Sequence, residues 1–574
     1  MIHYRVYLEI ADDGRCMAHV LNPSTGDSTA SPHSSGQALP GCIVRAPTRD
    51  EALSRVPEAT RETHAWLRRH GEPAPPEDES IGIEIAGEST GLGPFDPGDA
   101  AALFPPDREP VTPEEMEWAF RMMTHARADL LALVRGLPDD VLDWQPGPRS
   151  FSIRRLLRHV GNAEEWYVSR IVEPETLPSE WEHDEELPIF EFLEMERRTA
   201  LARLRQLTEE ERSGVFHPTR WTNHPEESWT ARKVLRRFLE HEREHTAQAR
   251  EILAVYRCHL LARLAAERAG LLWQLIGLDE KRLTELPVFE EGDWTAKDLL
   301  AHVAAWDRWE KREMKRMLAG EVPDLAAAQD VDTFNAAVVA EWHDRTLTEV
   351  LAELRAARAD WVAWLRTLPE EEFARLRSFE SEDWSFPGCL EVQWRHDAEH
   401  AAQIAAWREA AGSEEKTGPK PILLAGLAAA REELLAVAAL IPPEERASRP
   451  VCGEWTLKDV LGHITDWEWL GEEGLRQMAT GRPPQVEHIE DIDVWNQVHV
   501  DARRDQSWEE VWVELHAARE TLLEVLNGMS QADLARSFPF PWSQEGPAYR
   551  WVCVYLAHDH EHAEDLRDAV RKVE

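Results

Sequence analysis

Apolar and polar positions follow a helical period over most of the chain. Leu299, Val303 and Trp306 are spaced by four and then three residues, so they share one face of a helix, and His302 lies on the same face. The same periodicity predicts further helices over Arg257–Leu278, Thr346–Leu368 and Glu391–Ala411. Four helices of this length joined by short polar loops are typical of a four-helix bundle.

Two helix starts can be read directly from the sequence. Thr295 and Thr456 are each followed three residues later by an acid, Asp298 and Asp459. A threonine whose hydroxyl caps the helix, with an acid three residues on, is a capping box. The pattern therefore predicts that a helix begins immediately after each of these threonines.

The first hundred residues have a different pattern. Alternating apolar positions predict short strands around a turn at residues 12–14, and a later apolar-periodic stretch predicts one helix. The predicted strands are Tyr4–Ile10, Cys16–Val20, Ile43–Arg45 and Ile81–Ala86, and the helix opens at Thr48 and runs to about His70. We expect a small α+β domain here.

The rest of the chain contains internal sequence repeats, and these repeats indicate its domain organisation. Three segments align without gaps, at residues 151–160 (FSIRRLLRHV), 294–303 (WTAKDLLAHV) and 455–464 (WTLKDVLGHI). A second motif recurs downstream at 241–245 (HEREH), 396–400 (HDAEH) and 558–562 (HDHEH). The chain is therefore predicted to be mainly α, with three tandem four-helix bundles behind the α+β domain.

The predicted boundaries follow from these repeats and from stretches rich in Gly, Pro and Asp. They are 1–90 for the α+β domain, 91–111 for a linker, 112–256, 257–412 and 421–574 for the bundles, and 413–420 for a second linker. No loop separates the first two bundles, so we expect a nearly continuous helix across residues 256 and 257.

Composition narrows the function. A formal net charge of −43 repels phosphate backbones and anionic membranes, which disfavours nucleic-acid or membrane binding. Six scattered cysteines without a C-x-x-C pair argue against a disulfide framework and a cysteine zinc site. No signal peptide and no long apolar run are seen, so a cytoplasmic location is expected.

The repeated histidines carry the candidate chemistry. Histidines at i and i+4 lie one turn apart on the same side of a helix, and a third from a neighbouring helix completes a three-histidine set. Three neutral imidazoles leave a coordination position open for a substrate. The candidate metal ligands are His159, His241 and His245, then His302, His396 and His400, and finally His463, His558 and His562. These histidines recur at corresponding positions in all three repeats, which is more than a chance distribution of histidines would give.

The acids around these histidines form two further patterns. Residues 241–245 match the H-E-x-x-H motif of zinc proteases, but the sister copies have Asp397 and Asp559 at the glutamate's place, which argues against that reading. Glu244, Glu399 and Glu561 precede the last histidine of each set and point about 100° away from the metal face, so we expect solvated salt-bridging roles.

These motifs resemble the DinB superfamily of four-helix bundles, whose members carry one histidine on the second helix and H-x-x-x-H on the fourth. That pattern implies the nine ligands named above. Bundles two and three look closest to the ClbS/DfsB branch, through W-T-x-K-D-x-L-x-H-x-x-x-W and a later Asp-x-Phe/Trp-Asn at Asp332–Asn335 and Asp493–Asn496. The first bundle lacks this insert, so its pocket is expected to differ.

The resemblance implies a metal-dependent transferase or hydrolase that acts on small electrophiles, by thiol S-transfer or detoxification. The cofactor would be a divalent metal, with zinc the first choice and nickel, iron or manganese as alternatives, together with a low-molecular-weight thiol. Tryptophans near the histidines are expected to line a substrate pocket, namely Trp166, Trp306, Trp309, Trp467 and Trp469. No catalytic acid or base is assigned.

Two other functions remain open. Because repetition multiplies capacity, the array also suits a protein that binds metal or sequesters a small molecule without turnover. The histidines are alternatively core residues of a scaffold.

The first 75 residues resemble HicB-type antitoxin domains, through Tyr-x-Val-x-Leu-Glu, Leu-Pro-Gly-Cys and Thr-x-x-Glu-Ala. No DNA-binding helix-turn-helix follows, so this resemblance implies a module that recruits a protein partner.

Overall fold

The structure is a computed structural model that describes most of the 574 residues. The described ranges are 2–21, 38–91, 93, 101–147, 150–183, 187–218, 220–289, 293–379, 382–410 and 417–572. The insertion after the second predicted strand and parts of both predicted linkers, 91–111 and 413–420, lie outside these ranges. Within the described residues, no helix combines the length and apolar character needed to cross a membrane.

The N-terminal region forms the mixed domain that the sequence predicted. Its elements are β1 (Ile2–Ile10), β2 (Cys16–Leu21), β3 (Ala38–Ala46), α1 (Arg49–Arg69) and β4 (Ile81–Thr90). The sheet order is β3-β2-β1-β4, antiparallel except for the parallel pair of β1 and β4. Alternate residues of β1, such as Val6 and Leu8, are buried with Val56 of α1 in its core.

All remaining long elements are helices, as predicted. The first repeat has α2 (Pro113–Val134), α3 (Asp139–Asp143), α4 (Ile153–Val168), α5 (Ile189–Arg205), α6 (Glu209–Ser213) and α7 (Ala231–Trp273). The structure divides into two compact units, residues 1–135, 139–145 and 151–252 in the first and residues 136–138, 146–150 and 253–574 in the second, so the main boundary falls within α7. The helix predicted to cross residues 256 and 257 is therefore confirmed, because α7 is unbroken over 43 residues.

The second unit contains the other two repeats. The second repeat continues with α8 (Glu280–Thr284), α9 (Ala296–Leu318), α10 (Ala326–Gln329), α11 (Val331–Trp342), α12 (Leu347–Arg366), α13 (Glu370–Ala374), β5 (Arg377–Phe379), β6 (Glu382–Trp384) and α14 (Phe386–Ala410). The third has α15 (Lys420–Ala438), β7 (Pro450–Cys452), β8 (Trp455–Thr456), α16 (Leu457–Ala479), α17 (Ile492–Ala502), α18 (Trp508–Gly528), α19 (Gln531–Ala535), β9 (Ser537–Pro539), β10 (Glu545–Pro547) and α20 (Ala548–Lys572).

Each repeat thus has four long helices, the C-terminal part of α7 being the first helix of the second repeat. In the third repeat, for example, Leu427 of α15, Leu475 of α16, Leu522 of α18 and Val552 of α20 are fully buried together. Ile422 and Ala429 of α15 lie instead in an apolar cluster with residues of α9 and α12, so this helix buries more than one face.

Within the first unit, the N-terminal domain contacts α7 through buried charged groups. His19 of β2 is fully buried, and its Nδ1 lies 2.8 Å from Oε1 of Glu240 on α7. Burial alone would lower the pKa of His19, but the carboxylates of Glu240 and Glu9 raise it above its ordinary value. Beside it, Pro40 and Arg45 of β3 contact Arg243 and Glu244 of α7, next to two candidate ligands.

Candidate metal centres

The first histidine of each set is positioned by the start of its helix. Thr295 and Thr456 form the predicted capping boxes with Asp298 and Asp459, and Ser152 caps α4. The aromatic residue just before each cap packs against the histidine two turns later. The ring centroids of Trp294 and His302, Trp455 and His463, and Phe151 and His159 are 5.2, 5.0 and 5.8 Å apart, respectively. The ten-residue motif therefore positions one imidazole through a helix cap and an aromatic contact that both lie within the motif.

The structure brings all nine predicted histidines together in three clusters, one per repeat. In the first, Nε2 of His241 lies 3.0 Å from Nε2 of His159 and 3.1 Å from Nε2 of His245. The corresponding distances in the second cluster, around His396, are both 2.9 Å. In the third, around His558, they are 2.8 and 3.0 Å.

The far nitrogen of the last histidine in each cluster has its own partner. Nδ1 of His245 lies 2.7 Å from Oε1 of Gln248, and Nδ1 of His400 lies 2.7 Å from Oε1 of Gln403. Because those oxygens accept, each Nδ1 carries the ring proton and donates it, which leaves an electron pair on Nε2. Such a bond fixes the orientation of a metal-binding imidazole.

The histidines are held in their neutral form. Burial, followed by the proximity of the neighbouring imidazoles, lowers the pKa of His302 to about 3. Burial likewise lowers the pKa of His159 to about 4 and that of His463 to about 3, and it holds the pKa of His558 well below its ordinary value. Neutral imidazole is the form that binds metal ions.

The donor set fits a cation. Each neutral imidazole has one ring proton, so a single Nε2–H can serve only one of the two short contacts that the central histidine makes. The other contact then has no proton between its two nitrogens, which lie about 3 Å apart, and this is unfavourable unless a positive ion lies among them. In addition, Nδ1 of His302 and of His463 is buried without a hydrogen-bond partner among the described residues.

A buried ion cluster lies beside each set of histidines, and the sequence reading missed it. Two arginines, from the first and third helices, pair with two acids, from the second and fourth helices. The clusters are Arg127, Arg197, Glu164 and Glu242; Arg268, Arg358, Asp307 and Asp397; and Arg431, Arg519, Glu468 and Asp559. The fourth-helix acid directly follows the central histidine, so this cluster fixes the turn that carries it.

The acid of the protease-like motif belongs to this cluster. Glu242 is 1% exposed and pairs with Arg127 and with Arg197, whose Nη2 lies 2.7 Å from Oε2. Although burial raises the pKa of a carboxyl group, the two arginines lower that of Glu242 below its ordinary value. Glu242 is thus committed to a structural ion pair, which agrees with the rejection of the protease motif.

The predicted pocket tryptophans are distributed unevenly. Trp306 and Trp467 lie beside the first histidine of their sets, with ring centroids 6.4 Å away, and their Nε1 atoms donate to Oδ1 of Asn335 and Asn496 at 3.0 Å. Those asparagines close the Asp-x-aromatic-Asn insert, on α11 and α17, so the insert holds this tryptophan beside the first histidine.

The other predicted tryptophans have different neighbours. Trp309 packs against Trp306 at 5.2 Å. Trp469 is half-buried, and none of the ring contacts between described residues joins it to a histidine of the cluster. In the first repeat, Nε1 of Trp166 instead donates to the backbone oxygen of Trp221 at 2.8 Å.

Two neighbours distinguish individual sites. Oε1 of Glu244, before His245, lies 2.9 Å from Nη2 of Arg45 on β3, consistent with the expected salt-bridging role. In the third repeat, Asp565 takes the place of the glutamines, with its Oδ2 3.1 Å from Nδ1 of His562, and the thiol of Cys452 lies 3.4 Å from the same carboxylate oxygen. The three sites therefore share their ligands but differ in their surroundings.

Comparison with known proteins agrees with this repeated geometry. The family model of the DinB superfamily matches the chain three times, at residues 122–249, 262–404 and 427–566. An uncharacterized protein of Bacillus subtilis (strain 168), YuaE, is 21% identical over 140 residues, which cover 23% of this chain and 86% of that protein. No solved structure matches the chain. With three matches that together span well over half of its length, the chain belongs to the DinB superfamily.

Proposed function

We propose that the chain is a divalent-metal-dependent transferase or hydrolase that acts on small electrophilic molecules, with one site in each four-helix repeat. The observation that carries this proposal is the convergence of three imidazole Nε2 atoms, with contacts of 2.8–3.1 Å, in all three repeats. A cluster that recurs with the same ligands is more than a chance arrangement of core histidines.

In each repeat the three histidines would hold the ion and leave positions open for a ligand. A bound divalent ion lowers the pKa of a thiol or a water molecule and so supplies a nucleophile at neutral pH. A low-molecular-weight thiol is the co-substrate that the family resemblance implies. The chain itself keeps the imidazoles neutral by burial and orients them through Gln248, Gln403 and Asp565.

The spacing of the nitrogens bears on the metal. Two of the three nitrogen pairs in each set lie 2.8–3.1 Å apart, close enough for the members of each pair to bind one ion. Zinc is the first choice for three imidazole ligands, with nickel, iron or manganese as alternatives.

The second and third repeats would hold a flat or apolar substrate against tryptophan. Asn335 fixes the indole of Trp306 beside His302, and Asn496 does the same for Trp467 beside His463. Both tryptophans are largely buried, so an apolar substrate that packs on them would exclude water from the site. This shared hydrogen bond between tryptophan and asparagine supports placing these two repeats in the ClbS/DfsB branch.

The same geometry admits one alternative, a protein that binds metal or sequesters a small molecule without turnover. Its support is the repetition itself, since three similar sites on one chain increase binding capacity. In either case, the N-terminal domain would act as a HicB-like module that recruits a protein partner, and the chain would work in the cytoplasm. The net charge of −43 argues against nucleic acid as that partner.

The test begins with metal content. Full-length protein loaded in turn with Zn²⁺, Ni²⁺, Fe²⁺ or Mn²⁺ should bind three equivalents, and His159→Ala, His302→Ala and His463→Ala should each bind two. His516→Ala, at an exposed position outside the clusters, serves as the control and should bind three. No bound metal, together with unaltered melting of the three variants, would instead mean that the histidines are scaffold residues.

The second step is turnover. We expect the loaded chain to consume thiol or water with members of a panel of small electrophiles, and the three His→Ala changes to reduce that rate. Full metal occupancy with no turnover across the panel contradicts the enzyme. Saturable binding with recovery of the unchanged compound then identifies the sequestering protein.

A further inference from the structure

A large cavity opens beside the first histidine cluster. It has a volume of about 720 Å³, and its walls include Arg158, Asn162, Trp166, Trp181, Arg220 and Trp221. A neighbouring cavity of about 530 Å³ is lined by His159, and Arg158 and Asn162 line both. The larger cavity is therefore adjacent to the proposed metal site and shares a wall with it.

One wall of this cavity is held in a strained conformation. Trp221 has a φ of 49°, in the left-handed region that a bulky residue rarely adopts, and its side chain is 55% exposed. Its backbone oxygen accepts from Nε1 of Trp166 at 2.8 Å, and the buried Arg170 donates to the backbone oxygen of Arg220 at 2.8 Å. These contacts hold the backbone of the loop, so the indole of Trp221 stays exposed at the cavity.

A second wall of the cavity includes Trp181, which is 6% exposed. Its Nε1 is itself buried and has no hydrogen-bond partner among the described residues, so a ligand in the cavity meets the indole ring and not its N–H group.

The charges at the cavity are mostly positive. Arg220 in the wall of the larger cavity is exposed, and Arg155 in the wall of the smaller one lies over the ring of Phe151, with 4.6 Å between its Cζ and the ring centroid. No carboxylate of the described residues forms an ion pair with either arginine. Arg158 lines both cavities, and among the described residues the acids are Glu165 in the larger cavity and Asp143 in the smaller. On a chain of net charge −43, a local excess of arginine favours anions.

The other repeats lack these features. Where the first repeat has Arg155 and Arg158, the aligned positions are Asp298 and Ala301 in the second repeat and Asp459 and Gly462 in the third. Trp306 and Trp467, whose Nε1 atoms donate to asparagines of α11 and α17, align with Ala163 in the first repeat, so that asparagine–tryptophan pair is replaced there by the contact of Trp166 with Trp221. The arginines and the exposed indole therefore belong to the first repeat alone.

The geometry points to a small aromatic anion, a carboxylate or a phosphate ester, as the ligand of the first repeat. Its planar part packs on the indoles of Trp181 and Trp221 in the larger cavity, and its anionic group lies at Arg158 and Arg220. The inference names the substrate class of the first proposed site and rests on the proposed function in that respect, but binding of the anion does not require the metal.

The test uses calorimetric titration of the metal-free, full-length chain with 1-naphthyl phosphate, 1-naphthoate and the uncharged 1-naphthol. We expect one equivalent of anion to bind, more tightly than 1-naphthol and more weakly as salt is added. Arg220→Gln should weaken anion binding roughly tenfold, as loss of a charged hydrogen bond does, while leaving 1-naphthol unchanged. The two anions show whether carboxylate or phosphate is preferred.

Two further variants complete the design. Trp221→Gly removes the indole, relieves the positive φ, and should weaken all three compounds. Arg198→Gln removes an exposed arginine of α5 outside the cavity and should change none of them. The inference is overturned if 1-naphthol binds as tightly as the anions, or if Arg220→Gln leaves the affinity for the anions unchanged. It is also overturned if three equivalents bind, or if none binds at millimolar concentration. Metal content measured on the same samples shows separately whether the proposed function has failed.

Discussion

Asp565 accepts a hydrogen bond from Nδ1 of His562 at 3.1 Å, at the position where the first two repeats have Gln248 and Gln403. A carboxylate acceptor makes the imidazole a stronger electron donor than an amide oxygen does. We therefore expect the third site to bind metal most tightly. Asp565→Gln should weaken its affinity about tenfold, and Gln403→Asp should strengthen the second site by a similar factor.

The measurement is competition with a chromophoric chelator, in chains whose other two sites carry the His→Ala changes. Cys452→Ser is the matched control, because that thiol also contacts Asp565 but is not part of the proposed ligand set. If Asp565→Gln leaves the affinity of the third site unchanged, the role assigned to this carboxylate is wrong.

The buried ion clusters should dominate the stability of each repeat. Arg358 pairs with Asp307 and Asp397 at 2.8 and 3.0 Å, and both acids are fully buried. Arg358→Met leaves them short of a partner and should cost about 3–5 kcal/mol of unfolding free energy. Arg308→Met, in the same repeat, breaks a more exposed pair with Glu353 and should cost less than about 1 kcal/mol. Urea denaturation measures the loss of unfolding free energy in each variant. Equal losses would contradict a larger contribution from the buried cluster than from the exposed pair.

The histidine clusters predict a loss of stability in mild acid when metal is absent. The pKa of His463 is about 3 in the folded chain, against an ordinary value of 6.5, so the unfolded chain binds more protons between these limits. The contribution of this histidine is complete above pH 6.5 and is lost as the pH falls toward 3. Each such histidine changes the unfolding free energy by about 1.4 kcal/mol per pH unit.

Denaturation of metal-free wild type and His463→Gln between pH 7 and 5 isolates that effect. The variant should show the shallower dependence on pH. Parallel curves for the two proteins are inconsistent with a neutral, buried imidazole at this position.

A buried acid in the second repeat should behave in the opposite way. Burial raises the pKa of Glu310, on α9, from 4.5 to about 8. The stability it contributes is present below pH 4.5 and is lost as the pH rises through 8. Glu310→Gln should therefore stabilise the chain at pH 8 by a few kcal/mol, at roughly 1.4 kcal/mol per pH unit of the interval.

Glu313→Gln is the control for that change. Glu313 lies on the same helix and is equally buried, but it pairs with Arg312 at 2.6 Å, so its neutralisation should destabilise the chain. Thermal melting at pH 6 and pH 8 distinguishes the two. A destabilised Glu310→Gln at pH 8 contradicts a neutral carboxyl group in the wild type.

The sequence predicted what local signals encode. Capping at Thr295 and Thr456 marked the starts of two helices, and the i, i+4 spacing placed two histidines of each cluster on one face. The third histidine followed from its recurrence in every repeat. These features depend on residues a few positions apart, where helical geometry is the main constraint.

What the sequence missed depends on contacts between distant elements. Arg358 lies in an amphipathic helix, where an arginine is usually a surface residue, and only packing of four helices shows that it is buried. An alignment of the three repeats would have revealed the acids of the ion clusters. In each repeat an acid stands five residues after the first histidine, as Asp307 does after His302. The exposed indole of Trp221 has no such signal, because a loop conformation fixed by Trp166 and Arg170 produces it.

The ion clusters also keep the first repeat distinct from the other two while one chain folds. Their acids differ in length, with two glutamates in the first repeat, two aspartates in the second, and one of each in the third. The fourth helix supplies Glu242 in the first repeat but an aspartate in the other two, so exchanging a fourth helix with the first repeat would place its carboxylate about one methylene too near to or too far from the guanidinium groups, leaving buried charges poorly paired. Tandem copies of one fold are prone to exchange helices during synthesis. The difference in side-chain length penalises such exchange with the first repeat.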